Sequence, residues 1–291
     1  MFDILPYALT PLLYAALALH FWRTRWLPRA AADGAPEMQA NPGIAAWERI
    51  AILAPLALHS WLLYAGLFAA PELRFGFSQA LSVMMWLAVL IYWIESLIYN
   101  LGGMHALALA LAAVCASLPA IFPGLPSAPY THSFEFRSHL LLAMLAYSLF
   151  AIAALHAALM ALLERRLHGS TLAEPGAGVF AGPLASLPPL LTMEALLFRL
   201  LTLGFLLLTL TLASGFVFSE ELFGKAMKFN HKTVFAIISW LIFATLLAGR
   251  YVYGWRGRKA LRWTIAGFTS LLLAYVGSRF VLEVLLSRPL S

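Results

Sequence analysis

The sequence has one cysteine in 291 residues, Cys115, and only 11% of its residues are charged. A single thiol cannot close an internal disulfide, and neither a CxxC pair for redox relay nor a CxxCH motif for covalent haem attachment occurs. An average soluble domain is about 25% charged. The shortage of Asp, Glu, Lys and Arg therefore excludes an ordinary soluble globular enzyme and a disordered chain. What is present instead is apolar: 62% of residues are AVILMFWYC, and the mean hydropathy is +0.84. The formal charge is nevertheless +6. In so apolar a chain, that excess fits cytoplasmic membrane flanks better than a nucleic-acid surface.

A membrane-spanning helix takes about 20 mostly apolar residues. Eight stretches meet that requirement, roughly Ile4–Trp22, Ile50–Ala70, Phe77–Tyr99, Met104–Phe122, His139–Leu163, Ala195–Phe218, Thr233–Tyr253 and Leu261–Leu286. The expected fold is all-α: a polytopic membrane helix bundle of about eight transmembrane helices. It divides into an N-terminal four-helix membrane region, 1–130, and a C-terminal membrane core, 131–291, within one integral membrane domain. The longest connections, about 23–49 and 164–194, contain Pro, Gly and Ala clusters typical of loops. Thr192 and Glu194 read as a helix start feeding the sixth span. Asp3 precedes the first span while Arg23, Arg25 and Arg29 follow it, the charge order of a retained span rather than a cleaved signal peptide. One set of alternate loops then carries eleven Lys and Arg and the other six, with Arg199 and Arg279 inside spans. The richer side is expected to be cytoplasmic, so both termini and the loops 123–138 and 219–232 are expected to be periplasmic. Three lysines on the outer loop 219–232 run against the trend, with Glu220 and Glu221 beside them.

Ionisable groups inside a bilayer cost about 2.5–3.5 kcal/mol at mid-depth on insertion scales, so each asks for a partner or a purpose. His59 and His156 fall within spans two and five, as structural hydrogen-bonding groups or as ligands. Glu95 and Arg199 lie near span ends, where snorkelling or a mutual pair accounts for them. Arg279 and Glu283 are four apart and share a helix face, which suits a local ion pair or an arginine facing an anionic ligand group. His139 opens span five, just after the loop that holds His132, and His231 opens span seven at the same surface. A ring nitrogen there is placed to coordinate a metal, and two such residues could hold a haem iron axially from both sides. Interfacial histidines are also common without any metal. Trp240, Trp255 and Trp263 fall near expected helix ends, as interface anchors do. Phe218, which ends span six, and Phe223 and Phe229 beyond it are expected outside the bilayer, dipping back onto the membrane or forming an apolar shelf that would suit a planar macrocycle. No catalytic nucleophile or acid–base pair is evident, so no enzymatic activity is expected.

Residues 198–215 read Phe198-Arg199-Leu-Leu-Thr-Leu-Gly204-Phe205 and run on to Ser214-Gly215. This resembles the span YRxIxxGFPLLTLGIxSG of the membrane proteins of cytochrome c assembly, the haem-handling CcsA/CcmC type. That family continues with a tryptophan-rich external segment, WGxYWxWDPKExW, and a span beginning ALITW. Here Phe223-Gly224-Lys-Ala-Met-Lys-Phe229-Asn230-His231-Lys232-Thr-Val-Phe235 and then Ala236-Ile-Ile-Ser-Trp240 align with it without a gap. Gly254-Trp255-Arg256-Gly257-Arg258 resembles the family's next cytoplasmic loop. His139 and Tyr147 keep the spacing of its HVxxxxxSYxxF pattern, and the resemblance implies that His139 is an axial haem ligand. Phe223, Met227, Phe229 and Phe235 stand where the family has tryptophans, Asn230 and His231 replace its Asp and Pro, and Tyr275 to Arg279 occupy the place of its second external histidine. These departures resemble the YpjD/HemX-like branch.

The resemblance implies an inner-membrane protein of bacteria that binds or hands on haem b at its periplasmic face. His139 and, in place of the missing histidine, His231 would be the iron ligands. Phe223, Phe229 and Phe235 would form the stacking surface beside Tyr147, and Arg279 or Lys225, Lys228 and Lys232 would meet the propionates. The implied partners are the lipid bilayer, haem and other cytochrome c assembly proteins. The alternative is a membrane accessory or small-solute transport component that keeps the fold without haem, in which His59 and His156 would line a polar path.

Overall fold

The computed structural model describes residues 4–26, 44–67, 75–99, 104–124, 134–169, 189–223 and 231–285. These form eight helices, with no strand among the described residues. They are α1 (Ile4–Phe21, running into a π-turn at Trp22–Trp26), α2 (Ala46–Leu67), α3 (Phe77–Glu95), α4 (His105–Ile121), α5 (Phe134–Gly169), α6 (Leu190–Phe223), α7 (His231–Tyr253) and α8 (Gly257–Leu272). The last continues through π-turns at Leu273–Gly277 and Val281–Leu285. Seven of the eight are long and apolar enough to cross a membrane, and α4, at 17 residues, is the shorter one. An all-helical answer follows from the solvent: lipid satisfies no backbone N–H or C=O, so each segment must bond to itself.

The surface chemistry matches. Leu12, Trp61, Leu141, Leu206 and Leu241 are exposed on the outsides of their helices, where hydrocarbon rather than water meets them. Inside, one continuous core runs from Tyr14 to Leu271. The longest helix, α5, packs on α3, α6 and α8, while α1 packs on α2 and α4. At the centre of the second half, Phe150 of α5 stacks flat on Phe243 of α7 at 3.9 Å between centroids. Gly204 of α6 and Gly267 of α8 leave the room that these rings occupy.

The end of the bundle opposite His139 is closed by charge. Glu194 of α6 pairs with Arg250 at 2.6 Å and Arg256 at 3.2 Å. Glu164 of α5 pairs with Arg258 at 3.1 Å. The turn from α7 to α8 is only Gly254–Arg256, and it is made possible by positive φ at Gly254 and Gly257, 64° and 53°. At the same end Glu48 of α2 accepts two hydrogen bonds from Arg25, both at 2.7 Å, one shared with His20 at 2.8 Å and one from the backbone N–H of Ala45, also at 2.8 Å. This buried carboxylate caps α2 and ties it to α1.

Several local expectations change. α5 begins at Phe134, so His139 lies in its second turn and does not open it. α6 begins at Leu190 directly after Pro189, so Thr192 is not a cap, and Glu194 serves the arginine pairs instead. Trp240 is well inside α7, not at a helix end. It stacks on Phe205 at 5.4 Å, and its indole N–H donates to the Thr209 hydroxyl at 2.9 Å.

Candidate functional site

His139 stands in the second turn of α5 and faces α6. Its Nδ1 lies 2.9 Å from the Ser214 hydroxyl. That hydroxyl donates its own proton to the Thr211 carbonyl at 3.0 Å, one turn back on α6. With the serine proton on that carbonyl, its oxygen accepts from the ring, and the network assigns the proton of the neutral imidazole to Nδ1. Nε2 is left with its lone pair and has no hydrogen-bond partner among the described residues. A histidine whose Nδ1–H is fixed by an oxygen acceptor has the tautomer and orientation of a metal ligand through Nε2. Gly215 completes the arrangement: a Cβ there would lie 3.2 Å from His139 Cε1, so the imidazole rests directly on the α6 backbone.

Two turns deeper on α5, Tyr147 is buried, and its hydroxyl donates to the Leu271 carbonyl at 2.8 Å. It clasps α5 to α8 just before the π-turn Leu273–Gly277. That widened turn carries Tyr275, whose hydroxyl donates to the Phe75 carbonyl at 3.3 Å. Two cations gather at the Tyr275 ring, Arg279 with its guanidinium 5.6 Å and Lys232 with its ammonium 5.9 Å from the centroid. One carboxylate answers them: Glu283 lies 3.8 Å from Arg279. Arg279 is mostly buried, and among the described residues its Nε and Nη1 make no hydrogen bond. Among the described residues the cluster holds two cations to one carboxylate, an arrangement that favours an anionic group.

The same end therefore carries His139 on α5, Ser214 and Gly215 on α6, Lys232 and Phe235 on α7, and Tyr275, Arg279 and Glu283 on α8. Phe235 is half-buried in the second turn of α7, and its carbonyl accepts from Ser270 at 3.1 Å. His231 is the exposed first residue of α7. No hydrogen bond or ring contact joins it to His139 among the described residues. Phe223 is the last residue of α6, and its side chain lies outside the described set, as do Phe229, Lys225, Lys228 and His132. Ser214 and Tyr275 were not singled out from the sequence as site residues. Both were visible within the quoted motifs, but their roles depend on which helix faces which.

Apolar helices turned outward around one core, with an imidazole and a cationic cluster at one mouth, define a polytopic helical membrane protein with a built polar mouth. The chain belongs to the cytochrome c assembly protein family, whose model matches residues 50–286. It is 35% identical over 147 residues to "Inner membrane protein YpjD" of Escherichia coli (strain K12), covering 50% of this chain and 52% of that protein. It is 39% identical over 85 residues to "Cytochrome c biogenesis protein CcsA" of Prochlorococcus marinus (strain NATL1A), 29% of this chain and 27% of that one. The CcsA protein of Synechocystis sp. is 36% identical over 86 residues. The chain thus spans about half the length, or less, of these curated relatives. No solved structure matches it.

Proposed function

We propose that this protein binds or hands on haem b at the mouth formed by α5 to α8, with His139 Nε2 as the axial ligand. The observation that carries this reading is the His139–Ser214–Thr211 chain, which supports a ring proton on Nδ1 and leaves Nε2 without a partner among the described residues at a half-buried position. His231, exposed at the start of α7, is the candidate second ligand. Phe223, Phe229 and Phe235 would give the apolar wall, Arg279 and Lys232 would meet the propionates, and Lys225 and Lys228 would add charge. When bound, haem supplies the redox chemistry; the protein's own part is to orient the imidazole, exclude water along the apolar wall and match charge. The role is that of a carrier and not of an enzyme.

The mouth would face the periplasm of a bacterial inner membrane with both termini on that side, and other cytochrome c assembly proteins would be its partners. The Lys and Arg count of the alternate loops and the printed names of the relatives support that placement. The test is a visible spectrum of the detergent-purified protein, as isolated and after adding hemin. A Soret band that disappears in His139→Ala is expected. No band in the wild type, or an unchanged band in His139→Ala, refutes the assignment.

A further inference from the structure

A second polar feature lies in the first half of the chain, away from His139. A cavity of about 220 Å³ opens between α1, α2, α3 and α4. It is bounded by Gly66 near the end of α2, by Gln79 in the first turn of α3 and by Pro119 near the end of α4, and it reaches down to His59. His59 is seven residues before Gly66, so the cavity runs about 10 Å along α2 at 1.5 Å per residue. Leucine, alanine and proline make up its apolar wall, Tyr7, His59, Gln79 and Ser82 its polar one, and no charged side chain lines it among the described residues.

The hydrogen bonds around it have one consistent direction. Tyr14 is fully buried, and its hydroxyl finds His59 Nδ1 at 3.3 Å and no other acceptor among the described residues. Ser82 has no other acceptor either, but Ser82 lines the cavity and Tyr14 does not, so the direction that strands no buried proton has the tyrosine donating to Nδ1 and the ring proton of His59 on Nε2. From there it is donated to the Ser82 oxygen at 2.8 Å. Ser82 is 1% exposed and lines the cavity. Its own proton has no acceptor among the described residues, and neither has that of Tyr7, which also lines the cavity. Gln79 is largely committed: its amide oxygen accepts from the Gly76 N–H at 3.0 Å and the Ser78 hydroxyl at 2.7 Å, and its nitrogen donates one of its two protons to the Pro123 carbonyl at 2.7 Å, which leaves one N–H beside the two hydroxyls.

Two unspent O–H donors in an apolar, uncharged slot set the ligand's chemistry. An ion would be desolvated with no counter-charge. A pure hydrocarbon would strand both hydroxyls without acceptors. What fits is a neutral, ring-sized body carrying carbonyl acceptors and soluble in the bilayer. We propose that this cavity binds the carbonyl headgroup of a membrane quinone, with Ser82 and Tyr7 donating to its oxygens and His59, held by Tyr14, positioning the Ser82 donor. The site is independent of the His139 mouth, and either can fail without the other.

The test uses the full-length protein in detergent, titrated calorimetrically with a decyl-tailed benzoquinone and, in parallel, with decylbenzene, which lacks the carbonyls. The expected result is saturable binding of the quinone and none of decylbenzene. Ser82→Ala should weaken quinone binding tenfold or more, Ser82→Thr should restore it, and His139→Ala should leave it unchanged. A positioning role for His59 has a separate readout, the infrared carbonyl stretch of the bound quinone. It should shift down in wild type, and in His59→Gln the shift should shrink even where binding persists. Ser82→Ala removes a single hydroxyl, so folding is checked by an unaltered elution profile. Absence of quinone binding in the wild type, equal binding of decylbenzene, or wild-type affinity and carbonyl shift in Ser82→Ala overturns the proposal and leaves a water-filled cavity only.

Discussion

Ser214→Ala is the perturbation that isolates the orientation of the axial histidine. It removes one oxygen and leaves His139 in place. In the wild type the Nδ1–H donates to that oxygen at 2.9 Å, and the serine is itself held by Thr211. Without it, a half-buried N–H loses its acceptor, at a cost of about 1–3 kcal/mol. At about 1.4 kcal/mol per tenfold, hemin affinity falls by about fivefold to somewhat over a hundredfold, which brackets the loss of about 10–100-fold typical for the outer partner of a ligating histidine. The assay is a hemin titration followed in the Soret band, with His139→Ala as the null and Ser214→Thr, which keeps a hydroxyl, as the control. Ser214→Ala should fall between wild type and null, and Ser214→Thr should lie near wild type. If Ser214→Ala titrates like wild type while His139→Ala abolishes binding, the proton on Nδ1 has no part in holding the ligand, and the tautomer argument is wrong.

Further outcomes follow from the same structure. His231→Ala should convert a six-coordinate low-spin haem spectrum into a five-coordinate high-spin one if His231 supplies the opposite face, and an unchanged spectrum excludes it as ligand. Gly215→Val should weaken hemin binding, because even a Cβ there stands 3.2 Å from His139 Cε1; the Soret titration reads it. Tyr147→Phe should lower the thermal unfolding temperature by an amount corresponding to about 1 kcal/mol and leave the Soret band intact, since its hydroxyl bonds to Leu271 rather than facing the mouth. Glu48→Ala should be far more damaging, about 3–5 kcal/mol in the same melt, because it leaves Arg25 buried without its carboxylate; Glu164→Ala, whose partner Arg258 is more than half exposed, should cost no more than about 1 kcal/mol.

The eight apolar runs were legible because lipid demands length and forbids unpaired backbone, and each run became a helix. Their ends were less legible for one reason. Hydropathy falls where charge begins, but the helix need not. Glu135 and Arg137 hide the first turn of α5, and Glu220 and Glu221 lie within the last turn of α6. This is why His139 reads from sequence as a helix opener while it stands in the second turn. The same limit applies to the site. His139, Lys232 and Arg279 could be named from residue type and motif spacing. The role of Ser214 could not, since it needs α5 and α6 face to face, and neither could the π-turn that brings Tyr275 beside Lys232 and Arg279.

Hydrogen bonding separates histidines that composition treats alike. His20 spends Nε2 on Glu48. His59 spends both nitrogens, on Tyr14 and Ser82, so a metal could take it only by breaking one of those bonds. His156 has an Nε2 without a hydrogen bond, yet the ring is fully buried and stacked on Tyr92 with centroids 5.6 Å apart, so a macrocycle could reach it only by unpacking α3 from α5. His139 differs from these three in combining a committed Nδ1 with an uncommitted Nε2 at a half-exposed position. Its competence as a ligand depends on α6 meeting α5 in one register, since Ser214 must reach Nδ1 while Gly215 lies under Cε1. A substitution deep in the α5–α6 seam that slid one helix past the other would therefore be expected to abolish hemin binding without touching the mouth. Gly204→Leu is the direct trial, because a Cβ at Gly204 already stands 3.1 Å from the Phe150 ring. Full hemin affinity in a folded Gly204→Leu protein would mean that the imidazole does not depend on the seam for its orientation.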